Sequence, residues 1–142
     1  VVLNELFSWL GEEFSAVAPD MRIVFEPSDL SLQTDSEMLH QILTVLISNS
    51  LKYAGQSCTV ELKAQKAGEK IIIEQCDDGN GFSENALPHI FERFYRADEA
   101  HSRKISGSGL GLAIAQTLCT ALGAKISASN RNPHGAQFKI EF

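Results

Sequence analysis

The chain has 142 residues, 44% of them hydrophobic and 21% charged, which is the composition of one ordinary globular domain. A formal net charge of −6 speaks against a surface for nucleic acid or anionic membrane, and no apolar run approaches the roughly 20 residues that span a bilayer. Cys58, Cys76 and Cys119 are odd in number and widely spaced. They fit neither a disulfide framework nor a zinc site, and read as packing thiols in a reducing cytosol.

The start at Val1-Val2-Leu3 is expected to be a cut inside a longer chain. Leu3, Leu6, Phe7, Leu10, Phe14 and Val17 recur at helical spacing, which predicts an amphipathic helix over 4–17 with Asn4 as N-cap. Met21, Ile23 and Phe25 alternate with polar neighbours, as in a strand. Thr34-Asp-Ser-Glu37 has the form of a capping box, starting a helix that runs to about Ala54. Cys58, Val60, Leu62 and Ala64 alternate with Thr59, Glu61, Lys63 and Gln65, predicting a half-buried strand. A turn at Gly68 leads into Lys70–Cys76, whose Ile71-Ile72-Ile73 run suggests a central strand covered on both faces.

A long loop follows, over 82–106. Leu110, Ala113, Ile114, Thr117, Leu118 and Ala121 then mark a helix that stops at Gly123, and strands are expected over 125–129 and 137–142. The expected fold is α+β: a two-layer α/β sandwich in one domain over 1–142. Three helices pack on a mixed, mainly antiparallel sheet of four or five strands.

Three small motifs punctuate this frame. The first ends the second helix, where Val45, Asn49, Lys52 and Tyr53 lie along one stripe. Ile42 and Leu46 flank the stripe, so the Asn49 amide is expected among apolar neighbours and in need of a partner. Its carbonyl oxygen suits Mg²⁺ as a neutral ligand, with phosphate oxygens and water completing the shell. Lys52 can meet phosphate as a point charge, and Tyr53 can cover a nucleoside with its ring. A structural Asn bonded to backbone fits the same residues equally well.

The second motif is Asp77-Asp-Gly79-Asn-Gly81, directly after a strand. A carboxylate there can accept the exocyclic N–H of adenine, which guanine does not offer at that edge, while glycines let the backbone turn close to a base. Standing alone, such a motif is more commonly a plain Asp-Asp-Gly turn between elements. The third, Gly107-Ser108-Gly109-Leu110-Gly111-Leu112, opens the last helix, whose free N–H groups and dipole favour phosphate. Its G-x-G-x-G spacing after a loop is not the dinucleotide fingerprint, and there is no P-loop. Arg93, Arg96, Arg103 and Lys104 share the long loop with Glu92, Asp98 and Glu99, which reads either as a local phosphate site or as a solvated loop of mixed charge.

Taken together, these motifs resemble the N, G1 and G2 boxes of the Bergerat ATP-binding fold, in its sensor histidine kinase branch. Asp35–Ala54 is similar to the N-box helix and Asp77–Gly81 to G1. Phe91-Glu-Arg-Phe94-Tyr95-Arg96 is similar to the F box of an ATP lid, Gly107–Leu112 to G2, and Gly135-Ala-Gln-Phe138 to the closing G-T-x-F strand. The resemblance implies that Asn49 holds Mg²⁺, Lys52 the phosphates and Tyr53 the nucleoside, and that Asp77 reads adenine. By the same resemblance Gly79, Gly81 and Gly107–Gly111 form the turns around the nucleotide, and Arg96 reaches phosphate from a lid over 82–106. Phe91 and Phe94 would pack that lid onto the domain or its partner helices.

The chain departs from the family pattern at Val45 (usually Asn), Ser50 (usually Ala), Asp78 (usually Asn) and Ala136 (usually Thr). Gyrase, mismatch-repair and heat-shock relatives carry a Glu four residues before the metal-binding Asn. Val45 stands there and takes no proton, so efficient hydrolysis of ATP is not expected. The implied activity is that of a protein-histidine kinase domain. It would donate the γ-phosphoryl group of ATP to a histidine on separate dimerisation helices, and from there a response regulator would receive it. None of His40, His89, His101 or His134 has the phosphoacceptor context, and each reads as a surface or lid residue. The implied setting is cytoplasmic, with any membrane held by the parent, an inner-membrane sensor. A gyrase-like ATP-driven clamp, or a decayed kinase serving as a nucleotide- or partner-binding module, are the rival readings.

Overall fold

The computed structural model describes residues 1–95 and 109–142. In chain order the elements are α1 (Leu3–Val17), β1 (Arg22–Phe25), α2 (Ser36–Tyr53), β2 (Thr59–Ala67) and β3 (Lys70–Asp77). A 3₁₀ turn (Leu87–His89), α3 (Gly111–Ala121), β4 (Lys125–Asn130) and β5 (Ala136–Glu141) complete them. The strands form one sheet in the order β1-β2-β3-β5-β4. Hairpin-linked neighbours run antiparallel, and β1 runs parallel to β2 because α2 lies between them in the chain and carries it back across.

Register explains why this sheet has one greasy face. Val60, Leu62 and Ala64 pair with Asp77, Gln75 and Ile73, and Ile73 and Gln75 pair in turn with Ile140 and Phe138. Residues opposite one another share a face. Leu62, Ile73, Phe138 and Ile140 are buried there with Leu6, Phe7 and Leu10 of α1, Leu39, Ile42, Leu43, Leu46 and Ile47 of α2, and Ala115 and Cys119 of α3 in a single core cluster. The other face carries Lys63 opposite Glu74 and Glu74 opposite Lys139, a row of alternating charge. β3 is therefore central, but only one of its faces is fully covered: Ile73 is buried, whereas Ile72 and Glu74 are half-exposed. The two-layer α+β sandwich is as expected from sequence.

Three local expectations are corrected. The N-cap of α1 is Val2, with no side-chain cap; the Asn4 oxygen instead accepts from Ser28 N at 2.9 Å. The α2 cap is Asp35 rather than Thr34, its carboxylate accepting from Met38 N at 2.9 Å. On α3, the buried residues are Ala115 and Cys119, so the helix is turned from the face marked by Ile114, Thr117 and Ala121, which are exposed. Gly123 ends it, with φ +73°.

Beyond β3 the chain does not leave the body of the protein at once. Ala86 and Ile90 are buried in the core cluster. Phe82 and Phe91 both meet the Phe138 ring edge-on, with centroids 5.7 and 6.1 Å away. Phe94 is exposed, and its N–H donates to Gly109 O at 2.9 Å, joining the two ends of the remaining loop. The first half of the 82–106 stretch is thus packed on the sheet through Phe138. Its other half lies outside the described residues.

Candidate functional site

The chemistry gathers where β3 ends on the inner face of the sheet. Asp77 is 3% exposed and its carboxylate accepts three hydrogen bonds. Oδ1 takes Gly79 N at 3.0 Å and Ala136 N at 3.1 Å, and Oδ2 takes the Ser50 hydroxyl at 2.7 Å. Ser50 Oγ accepts in turn from Gln75 Nε2 at 2.8 Å. Ser50 and Gln75 are 0% and 1% exposed, so the inner end of this polar chain lies in the core while Asp77 stands at its rim. A buried charge persists only with donors around it, and here three protein groups supply them.

The turn after Asp77 sits on the end of α2. A Cβ on Gly79 would come within 2.6 Å of Ala54 Cβ and 2.9 Å of its Cα, so only glycine lets the turn approach the helix this closely. The β4–β5 hairpin holds the turn from the other side. Asn130 accepts from Phe82 N at 2.7 Å and donates to Phe82 O at 2.8 Å; its oxygen also fills the space a Cβ on Gly81 would need. Arg131 Nη1 donates to Asp77 O at 3.2 Å, and His134 Nδ1 lies 3.0 Å from Gly79 O. Gly135, at φ +118°, lies so close to Asp77 O that no side chain fits there.

On α2, the buried polar residue is Ser50, not Asn49. Asn49 is half-buried at the edge of the core, so burial does not oblige its amide to find a protein partner. Lys52 and Tyr53 are exposed one turn on. Val45, one turn before Asn49, faces α3: a Cβ on Gly111 would lie 3.5 Å from Val45 Cγ1. The same helix therefore touches the Asp77 network through Ser50 and the start of α3 through Val45, with Asn49 between them. Leu110 and Gly109 stand at that start, Gly109 against the Phe94 backbone. Arg96, Gly107 and Ser108, together with His101, Arg103 and Lys104, lie outside the described residues.

Ser50, Gln75, Asn130, Arg131 and His134 are the contributors that sequence reasoning passed over. A signal existed for two of them. Ser50 falls at helical spacing behind Leu43, Leu46 and Ile47, and Gln75 has the inward parity of Ile73. A polar residue on an inward stripe marks a partner that must be found.

Glu61 joins this network through Arg131 Nη2 at 3.6 Å, whereas His40 and His89 stand apart from it. His40 bonds Glu13 at 2.8 Å and stacks on Trp9, with centroids 3.9 Å apart, and His89 pairs with Glu92 on the surface. A depression of about 430 Å³ lined by Asn4, Glu5, Ser8, Trp9 and Glu12 shares no residue with the Asp77 site. Among the described residues no group of three His, Cys, Asp or Glu side chains could hold a metal, and no helix is long and apolar enough to cross a membrane.

All three thiols are free and buried, and burial pushes each up to about 11; Asp77 and Asp78 add to this at Cys58, while Arg131 opposes it at Cys76. Raised folded-state values mean the protonated thiols stabilise the fold below about pH 9. That contribution is lost as pH climbs from about 9 to about 11. At pH 8, iodoacetamide is therefore expected to label the folded chain about 100-fold more slowly than the chain in urea from ionisation alone. Mass spectrometry of timed aliquots measures this, and equal rates would show the thiols to be open.

Comparison with known proteins gives one consistent picture. The family model described as "Histidine kinase-, DNA gyrase B-, and HSP90-like ATPase" matches residues 34–142. Sensor histidine kinase YkoH of Bacillus subtilis is 34% identical over 123 residues, covering 87% of this chain and 27% of the relative. The chain thus spans about a quarter of that relative's length. The mycobacterial sensor histidine kinase MprB superposes with a TM-score of 0.86 at 22% identity, over 100% of this chain and 95% of that one. Full-length ShkA, solved in complex with AMPPNP, gives a TM-score of 0.81 at 26% identity, over 99% of this chain and 30% of that one.

Proposed function

Since the chain belongs to the family of histidine kinase-, DNA gyrase B- and HSP90-like ATPases, as an ATP-binding catalytic domain of the sensor histidine kinase kind, we propose that Asp77 reads the adenine of ATP. The observation that supports this is the buried Asp77 carboxylate, fixed as an acceptor by Gly79, Ala136 and Ser50 at the end of a strand. An acceptor-only group largely shielded from water favours a base edge bearing an amine and repels one bearing a carbonyl.

Asn49, Lys52 and Tyr53 then serve metal, phosphate and nucleoside, with Gly81 in the base turn. Gly107, Ser108, Gly109, Leu110 and Gly111 serve the phosphate side and Arg96 the terminal phosphate. Asn49 fits Mg²⁺ as a neutral oxygen ligand at the edge of the core. With no acidic cluster among the described residues, most of the shell falls to phosphate and water, as Mg²⁺ prefers. The bound ion would neutralise charge on the transferring phosphoryl group.

The reaction of the parent is transfer of the γ-phosphoryl group to a histidine on its own dimerisation helices, and from there to a response regulator. The parent is an inner-membrane sensor with this domain in the cytoplasm. No proton acceptor stands one turn before Asn49: Val45 occupies that position and packs toward α3. Bound ATP is thereby kept for an acceptor brought into line.

The test is calorimetry with MgATP and MgGTP, followed by transfer of labelled phosphate to a separately supplied acceptor-helix domain. ATP should bind and GTP should not. Asn49→Ala, which removes the oxygen ligand, should remove most of the Mg²⁺-dependent part of the affinity, and Asn49→Asp should disturb it either by overbinding Mg²⁺ or by repelling phosphate. Release of free phosphate should stay well below about 1 per second. Equal affinity for the two nucleotides would overturn the assignment of Asp77. A Mg²⁺ response independent of Asn49 would overturn that of the metal ligand.

A further inference from the structure

We propose that Ser50 and Gln75 set the base selectivity of the site by deciding which acceptor position on Asp77 stays open, which makes Ser50 a positioning residue for an exocyclic purine amine. This rests on the reading of Asp77 as the adenine acceptor and adds to it the groups that aim the carboxylate.

An ionised carboxylate has about four acceptor positions, two on each oxygen. Oδ1 of Asp77 is filled by the Gly79 and Ala136 N–H groups, and Oδ2 has one position taken by Ser50. The remaining position is on Oδ2, so an incoming amine hydrogen must go there. Its direction is fixed by the hydroxyl that holds the other lone pair. The hydroxyl is itself oriented: Gln75 Nε2 donates to Oγ at 2.8 Å, so the Ser50 hydrogen points away from Gln75 and toward Asp77 at 2.7 Å.

Gln75 pays for this orientation, since its Oε1 is buried without a hydrogen-bond partner. Turning the amide over would give Oε1 the Ser50 hydrogen and take it from Asp77. Exposures of 0%, 1% and 3% for Ser50, Gln75 and Asp77 leave little room for water to replace any link. Removing the Ser50 hydroxyl strands two buried groups at once, the Gln75 Nε2 donor and the Asp77 Oδ2 acceptor. These then draw together, and the carboxylate oxygen turns from the base toward Gln75.

The experiment compares ATP with purine riboside triphosphate, which lacks the amine and is otherwise the same, by calorimetry on the 142-residue domain. Wild type should prefer ATP by on the order of 100-fold. In Ser50→Ala that ratio should fall about 10-fold, while Ser50→Thr, which keeps the hydroxyl, should hold it within about threefold of wild type. Adding Gln75→Leu to Ser50→Ala removes the stranded donor and should recover most of the ratio. A merely structural Ser50 would weaken both ligands equally and leave the ratio unchanged, which overturns the proposal, as does failure of the double variant to recover. A wild-type ratio near one is a different result: it removes Asp77 as the adenine acceptor and leaves the relay with nothing to aim.

Discussion

Asp77→Asn is expected to abolish measurable ATP binding, lowering affinity by at least about 100-fold, while the domain still folds with a loss of about 1–3 kcal/mol. The new amide keeps one oxygen, which can go on accepting from Gly79 and Ala136. Its NH₂ group, however, takes the place of Oδ2, opposite a Ser50 oxygen that already accepts from Gln75. Two donors then face Ser50, its own hydrogen loses its acceptor, and an incoming adenine amine meets a donor instead of a lone pair. Calorimetry gives the affinity and urea unfolding the stability. Retained binding within tenfold of wild type would mean that the base is read elsewhere.

The second large effect concerns the fold. Phe138→Ala should cost about 3–5 kcal/mol, a large fraction of the 5–15 kcal/mol typical of a domain. Phe138 is 0% exposed, and the edges of its ring carry Phe82 and Phe91 as well as the helix layer. Truncation therefore opens a cavity and frees the packed segment 82–91 together. The urea midpoint should drop, and limited proteolysis should begin near Phe82 and Phe91 before the helices are cut. A loss below about 1 kcal/mol would show that the neighbours close over the gap.

The architecture was legible because its signals are periodic. Val60, Leu62 and Ala64 alternate along β2, and Gly123 marks the end of α3 by its left-handed backbone. The errors arose where two residues compete for one role. Asn4 and Thr34 have the chemistry of caps, yet Asn4 is engaged by Ser28 across the fold and Asp35 lies one residue nearer the α2 backbone. The buried face of α3 is missed when Thr117 is counted with the apolar stripe; Gln116, Thr117 and Thr120 lie together on the exposed side, away from Ala115 and Cys119. At the site, the motif residues Asp77 and Gly79 stand out in any reading of the chain. Their supports do not: Asn130, Arg131 and His134 belong to a distant hairpin, and nothing in their local spacing points to residue 77.

That distance has a thermodynamic meaning. The ties between the hairpin and the stretch from Asp77 to Phe82 join residues 48 to 59 positions apart in the chain: Asn130 to Phe82, Arg131 and Ala136 to Asp77, and His134 to Gly79. No peptide cut around residue 77 could hold the carboxylate in this geometry, because loop closure over such lengths is met only by the whole sheet. Assembly of the site thus depends on β3–β5 pairing, a contact between segments far apart in the chain. The binding free energy of a ligand held there adds to that of the entire domain, so saturation at 100 times Kd should raise global stability by about 2.7 kcal/mol, with turn and core melting as one transition.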